Sequence, residues 1–386
     1  MIDLSDVPVV DNHVHPWRAA SRTLSVEQLS GSVAFSETAR TSVRQDFLPP
    51  DELAPALALY RATNLGVRYL LRELARLLGV DEDWQTVTAA RNAAAGQDYR
   101  AWTARLFADV GIDALMVDEG GSRPRITLDE LGAIAPVRLR RVARTDNIIR
   151  DLLPDGDAWP RFLARYDEGL EAAIADGALA FKSVIAYRTG LDVQPVAEDV
   201  ARANYDAHRA DAERTQKAFR DYLLCHTFDV ARERGLWVHI HAAVGDPDIV
   251  FERANPGNLY PLLSSPRFRA NRVVLVHGGW PWVGEAAAMV AILPNLYLDV
   301  SEGALFGMPN VRQRLLEVLE AGPYAKVLYG ADGEIPEAIW IGAKRYKVVL
   351  GRVLDELQAD GFCTEAEAHQ IGALILHDNA ARMYGL

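Results

Sequence analysis

Eight short apolar runs, separated by longer segments of helical periodicity, predict an α/β chain built as a (β/α)8 barrel of the TIM type. Two further observations point the same way. No Gly-rich phosphate fingerprint follows the first run, as a doubly wound open sheet would carry. His, Lys and Asp residues recur at the carboxyl ends of the runs, where barrel sites lie. The first strand is expected over 7–14. A long stretch without strand patterning, about 26–110, reads as a helical insertion, with amphipathic helices over 51–60 and 67–78. Strands follow at 112–117, 136–142 and 178–186, with a helix over 159–175 between the third and fourth. Residues 196–234 are long and charged enough for two helices; strands at 236–242, 272–277, 296–300 and 326–330 and a helical region over 336–386 complete the pattern. The whole of 1–386 is expected to be one barrel domain, the insertion lying within it.

Of the 386 residues, 49% are hydrophobic and 24% charged, an ordinary globular composition that excludes collagen, coiled coil and wholesale disorder. A net charge of -12 leaves no basic surplus for a nucleic-acid partner. Cys225 and Cys363 make no disulfide framework, so a reducing compartment is expected. The first residues lack a cationic and apolar leader, and no apolar run reaches the ~18 residues of a membrane span. A cytoplasmic protein acting on a small molecule, without membrane or nucleic acid, is the expectation.

The chemistry is concentrated at the strand ends. Strand one ends His13-Val14-His15, strand four carries Lys182, and strand five carries His239-Ile240-His241. Strand six ends at His277, and strand eight runs into Asp332. Side chains at i and i+2 share a strand face, so each His pair can point into the barrel mouth. Imidazole with carboxylate suits zinc and similar divalent ions. Any one of these residues alone is more often structural; the joint order HxH, Lys, His, His, Asp is what predicts a metal site. Lys182 gains weight because only five of the 41 basic residues are lysines.

These residues resemble the amidohydrolase superfamily of metal-dependent barrel hydrolases. The likeness is carried by DNHVH at 11–15, Lys182 in FKSVIAYRTG, HIHAAVGD at 239–246, VLVHGGWPW at 274–282, YGADGEIPE at 329–337 and the closing NAARMYGL, and so spans the chain. Within the superfamily the chain most resembles the amidohydrolase-2 group. It is closer still to the amidohydrolase domains that precede a glutamine-synthetase-like domain in nodulin-type fusions, through AYRTGLD, NP at 255–256 and LYLDVSEG; this sequence stops at Leu386 without that second domain.

The resemblance implies His13, His15, Lys182, His241, His277 and Asp332 as metal ligands, with His277 and Asp332 in the chemistry and Asp332 as proton shuttle. It implies one or two divalent ions, zinc first and manganese or iron next. Lys182 would be a CO2-derived carbamate in a binuclear site. His239, one step deeper, is expected to support the ligands. Substrate contacts are expected from Tyr187 and Arg188, with Arg188 clamping a carboxylate, and from Trp280 and Glu302. The implied activity is hydrolysis by a metal-bound hydroxide of a C–N bond, an amide of an amino-acid or γ-glutamyl type. Alternatives are a lactonase or ester hydrolase, a mononuclear-metal decarboxylase, and a scaffold with an idle site. A homo-oligomer is expected, with the insertion as an interface or lid.

Overall fold

The computed structural model describes the chain apart from residues 35–54, 56–57, 60, 122–123, 211–214, 247–248 and 302–307. Its eight strands are β1 (Val9–Val14), β2 (Ile112–Asp118), β3 (Arg138–Arg144), β4 (Ala178–Ser183), β5 (Trp237–His241), β6 (Arg272–Val276), β7 (Leu296–Asp299) and β8 (Val327–Leu328). They lie parallel and in chain order. Backbone hydrogen bonds close the ring between β8 and β1: Asn12 N donates to Tyr329 O (2.9 Å), Asp332 N to His13 O (2.7 Å) and His15 N to Gly333 O (2.9 Å). The predicted barrel is therefore the observed one.

The interior follows from the strand period of two. Val10, Ala114, Met116, Val142, Ala180, Val274 and Leu328 form one buried cluster with Trp237, Ala380 and Tyr384. Val9, Leu115, Ala143, Phe181, Val238, Val273 and Leu298, from the opposite strand faces, join the larger core under the surrounding helices. Tyr384 and Ala380 come from the last helix (Asn379–Tyr384), which thus contributes to the inner cluster.

The expected fourth strand stops early, at Ser183. Asp146 Oδ2 accepts from Val184 N (2.9 Å), and a 3-10 turn (Ile185–Tyr187) takes the chain away from the sheet. Between β1 and β2 the described helices are Val26–Gly31, Leu65–Leu78, Trp84–Gln97 and Tyr99–Val110. Asn64, Asp83 and Asp98 cap the last three through side-chain oxygens that accept backbone N–H groups, and Gly111 ends the last at φ +69°. The helix expected over 51–60 lies largely outside the described residues. The helices at Trp159–Ala175, Glu198–His208, Lys217–Arg234 and Pro336–Ala359 match the expected segments. No helix among the described residues is long and apolar enough to cross a membrane.

The loop after β4 is pinned by Asp221, which accepts from Gln194 N (3.0 Å) and Lys217 Nζ (2.9 Å). Burial pushes the Asp221 carboxyl up to about 6, against the pull of Lys217. The folded protein then holds this proton more tightly than the unfolded chain, whose aspartates titrate near ~3.9. The contribution of Asp221 thus favours the fold below about pH 4 and is lost as pH rises through about 6, an effect of about 2–3 kcal/mol. Urea unfolding between pH 4 and 7 should show this slope, and Asp221→Asn should flatten it. An unchanged slope in the variant would remove the assignment.

Candidate metal centre

Five strand ends, those of β1, β4, β5, β6 and β8, deliver the six expected ligands to one end of the barrel. His13 Nε2 stands 3.1 Å and His15 Nε2 3.3 Å from Asp332 Oδ1. Lys182 Nζ is 3.4 Å from His13 Nε2. The His277 ring lies 5.1 Å from that of His13 and 4.4 Å from that of His241, between centroids. All six residues expected to hold a metal are thus brought together.

The backbone is bent to achieve this. Among the described non-glycine residues, His277 (φ +76°) and Asp332 (φ +63°) are the two in the left-handed region. Each such residue costs on the order of 1–3 kcal/mol and persists where its surroundings over-determine it. Asp332 is held between its own N–H bond to His13 O and Gly333, whose bare Cα lets the following helix approach. A Cβ on Gly333 would meet Ile339 N at 2.9 Å. His277 is held by its N–H bond to Asp299 Oδ1 (2.9 Å).

Buried polar atoms without hydrogen-bond partners show that the donors fit a cation. His241 Nε2 is buried in this way, while Asp332 Oδ1 has only the Nε2 atoms of His13 and His15 beside it, at 3.1 and 3.3 Å. Such atoms normally find a partner, and a bound ion is a recognised reason for an exception. One ligand atom each from His13, His277 and Asp332 lie within 4.8 Å of one another, as do atoms of His13, His15 and Asp118.

The protonation states suit the same role. Burial, with Lys182 nearby, takes the His241 imidazole well below its ordinary range, and burial with His241 does the same for His277. Burial also lowers His13. Burial pushes the Asp332 carboxyl up, but His277, His13 and His15 outweigh it and hold it well below the usual carboxylate range. Neutral His13, His241 and His277 beside an ionised carboxylate are the states a divalent ion requires; His15 is drawn the other way, since burial lowers it but Asp332 and Asp118 outweigh burial and raise it.

Two residues at this end were not foreseen. Asp118 closes β2 and Arg144 closes β3, and the guanidinium grips the carboxylate with two bonds, Nε to Oδ1 (2.9 Å) and Nη2 to Oδ2 (2.6 Å). Asp118 Oδ2 also lies 3.8 Å from Lys182 Nζ, and its carbonyl oxygen is 3.3 Å from His15 Nδ1. Arg144 occupies both Asp118 oxygens, so the set with His277 and Asp332 has the freer donors.

His239 does not join the ligands: its Nε2 meets Tyr384 Oη at 2.7 Å, below the metal-facing layer. The Tyr187 ring lies 4.6 Å from that of His241, and Tyr187 Oη accepts from Asp246 N (3.1 Å). Gly245 is required there, since a Cβ would fall 1.9 Å from Tyr187 Oη. Arg188 follows, half-buried. Trp280 lies just past His277, its ring 4.7 Å from the Arg314 guanidinium carbon. Glu302 lies outside the described residues.

Residues 10–386 match the family model Amidohydro_2, described as amidohydrolase. Protein fluG of Emericella nidulans is 26% identical over 415 residues, an alignment covering 98% of this chain and 46% of that protein; the chain spans about half the length of this curated relative. Among solved structures, a candidate metal-dependent hydrolase of Lactobacillus casei superposes with a TM-score of 0.85 at 22% identity, covering 100% of this chain and 98% of that one. The uronate isomerase of Thermotoga maritima gives 0.69 at 14% identity, covering 98% and 95% respectively. These structural likenesses establish the shared fold.

Proposed function

The chain belongs to the amidohydrolase family, and from that premise we propose that it is a metal-dependent hydrolase cleaving an amide C–N bond in a small, carboxylate-bearing molecule. The observation that carries the reading is the convergence of His13, His15 and His277 on Asp332, with His241 Nε2 buried and without a hydrogen-bond partner. His13, His15, His241, His277 and Asp332 would hold the ion. Zinc suits this imidazole–carboxylate set, with manganese or iron as alternatives. When bound, the ion supplies Lewis acidity that acidifies water and polarises a carbonyl.

The protein's own groups do the rest. Asp332 is ionised at neutral pH and faces the site, so it can take the proton of an attacking water and return it to the departing nitrogen. Arg188, next in sequence to the Tyr187 that packs on His241, would grip a substrate carboxylate bidentately. Trp280 and Tyr187 supply apolar walls.

Lys182 is the residue that distinguishes one ion from two. It is fully enclosed, and burial lowers its amine while Asp118 opposes the shift. A neutral amine adds CO2 to give an N-carboxylate and a proton, and Arg144 stands near as a counter-charge. The carbamate would provide the oxygen ligand that an ammonium cannot.

Elemental analysis of protein purified without chelator tests both points. About two ions per chain are expected, falling to one or none in Lys182→Ala, with partial recovery on adding short carboxylic acids. Turnover should appear in a panel of N-acyl amino acids and γ-glutamyl amides. No metal after reconstitution with divalent ions and bicarbonate would overturn the reading; an unchanged count in Lys182→Ala would remove the carbamate.

A further inference from the structure

Behind His277 runs a continuous chain of buried hydrogen bonds that reaches the last helix. Its polarity is fixed from the middle. The Asp299 carboxylate can only accept. Its Oδ1 takes bonds from Ser301 Oγ (2.6 Å), Ser301 N (3.1 Å) and His277 N (2.9 Å), and its Oδ2 from Asn12 Nδ2 (2.6 Å). Ser301 has one hydroxyl proton, and Asp299 takes it. The 2.8 Å contact between Ser301 Oγ and His277 Nδ1 must then be donated by the imidazole.

On the other side, the Asn12 amide turns its nitrogen to Asp299 and so presents its oxygen to Tyr384 Oη, which donates at 2.6 Å. The Tyr384 oxygen in turn accepts from His239 Nε2 at 2.7 Å. Asn12, His239, Asp299 and Ser301 are all fully buried, and Tyr384 nearly so.

We propose that Ser301 is a positioning residue that fixes His277 as the Nδ1–H tautomer, leaving the Nε2 lone pair for a divalent cation. Asp299, Asn12 and Tyr384 hold Ser301 in that role. The last helix thereby becomes part of the support of the metal centre, although it contributes no ligand. His239 has the converse arrangement: its Nε2 carries the proton that Tyr384 accepts, which takes that nitrogen out of the ligand set. The tautomer statement stands on the hydrogen bonds alone; its consequence for affinity rests on the metal-centre reading above.

The test uses the full chain, stripped of metal and labelled with 15N on histidine, the His277 signals being assigned by their loss in His277→Gln. Wild-type protein should show His277 protonated on Nδ1 only. Ser301→Ala should convert it to a tautomer mixture and weaken zinc binding 10–100-fold, read by competition with a chromophoric chelator. Ser301→Thr, which keeps the hydroxyl, should restore both. Tyr384→Phe should weaken zinc less than tenfold, without moving the His277 proton. A proton on Nε2 of His277 in the wild type, or Ser301→Ala with wild-type tautomer and affinity, overturns the proposal. Wild-type protein that takes up no zinc would sink the metal-centre reading instead, and the tautomer measurement would still decide this one.

Discussion

His13→Ala is expected to abolish both metal retention and turnover, and to do so more completely than His15→Ala. The difference follows from position. His13 belongs to both groups of converging donors, whereas His15 belongs to one and is partly open to solvent. Removing His13 also takes away the imidazole lying 3.1 Å from Asp332 Oδ1 and 3.4 Å from Lys182 Nζ, leaving a carboxylate and an amine without their nearest neighbour. Activity should fall by at least the ~10²–10³-fold lost when a single preorganised polar group is deleted from an active site. In His15→Ala, the donors from His13, His277 and Asp332 remain within 4.8 Å of one another and should retain part of the metal. Elemental analysis and turnover on the best amide of the panel read the two variants side by side. Full metal content and wild-type turnover in His13→Ala would remove it from the ligand set.

The strands were legible because parallel barrel strands are buried on both faces and read as unbroken apolar runs, as in RVVLVH and LWVHIHA. What each strand does at its end was less so. Asp118 falls one residue beyond the expected end of the second strand and Arg144 two beyond that of the third. Neither belongs to a motif. The inward register would have found them: Ala114-Met116-Asp118 and Val142-Arg144 share the alternation of Ala180-Lys182 and Trp237-His239-His241. Carrying the period of two past each predicted boundary selects the polar residue at the mouth. Ser301, Asn12 and Tyr384 carry no comparable signal. Their roles depend on the closing of β8 against β1 and on the last helix meeting the barrel's inner residues, contacts of more than 280 residues' separation for Asn12 with Asp299 and with Tyr384. The same register accounts for His239: it shares a face with His241 but sits one layer deeper, where Tyr384 rather than a metal meets it.

Glu337→Ala is expected to cost about 3–5 kcal/mol of stability, the range for stranding one partner of a buried ion pair. Glu337 Oε1 accepts from Arg91 Nε at 2.6 Å and from Trp102 Nε1 at 2.6 Å, with Arg91 and Glu337 both fully buried. Arg91 and Trp102 belong to the two helices Trp84–Gln97 and Tyr99–Val110 that precede β2. Glu337 stands in the first turn of Pro336–Ala359, five residues after Asp332, where its charge also complements the helix dipole. The alanine variant would leave the Arg91 guanidinium without its carboxylate in a place water does not reach. Replacing both partners with apolar residues of similar volume, Arg91→Met with Glu337→Leu, should cost much less than the single change. The apolar pair avoids the desolvation that the ion pair must overcome. Urea unfolding of the two single variants and the double closes the cycle. A Glu337→Ala loss below about 1 kcal/mol would mean that Arg91 finds another anion or water. A double variant as damaged as the sum of the singles would mean that the pair is not coupled. The expected result, a large single loss largely recovered in the double, identifies the pair as a specific clamp. That clamp ties the helices ahead of β2 to the helix leading from Asp332, so the segment inserted after β1 bears on the geometry of the strand-eight aspartate.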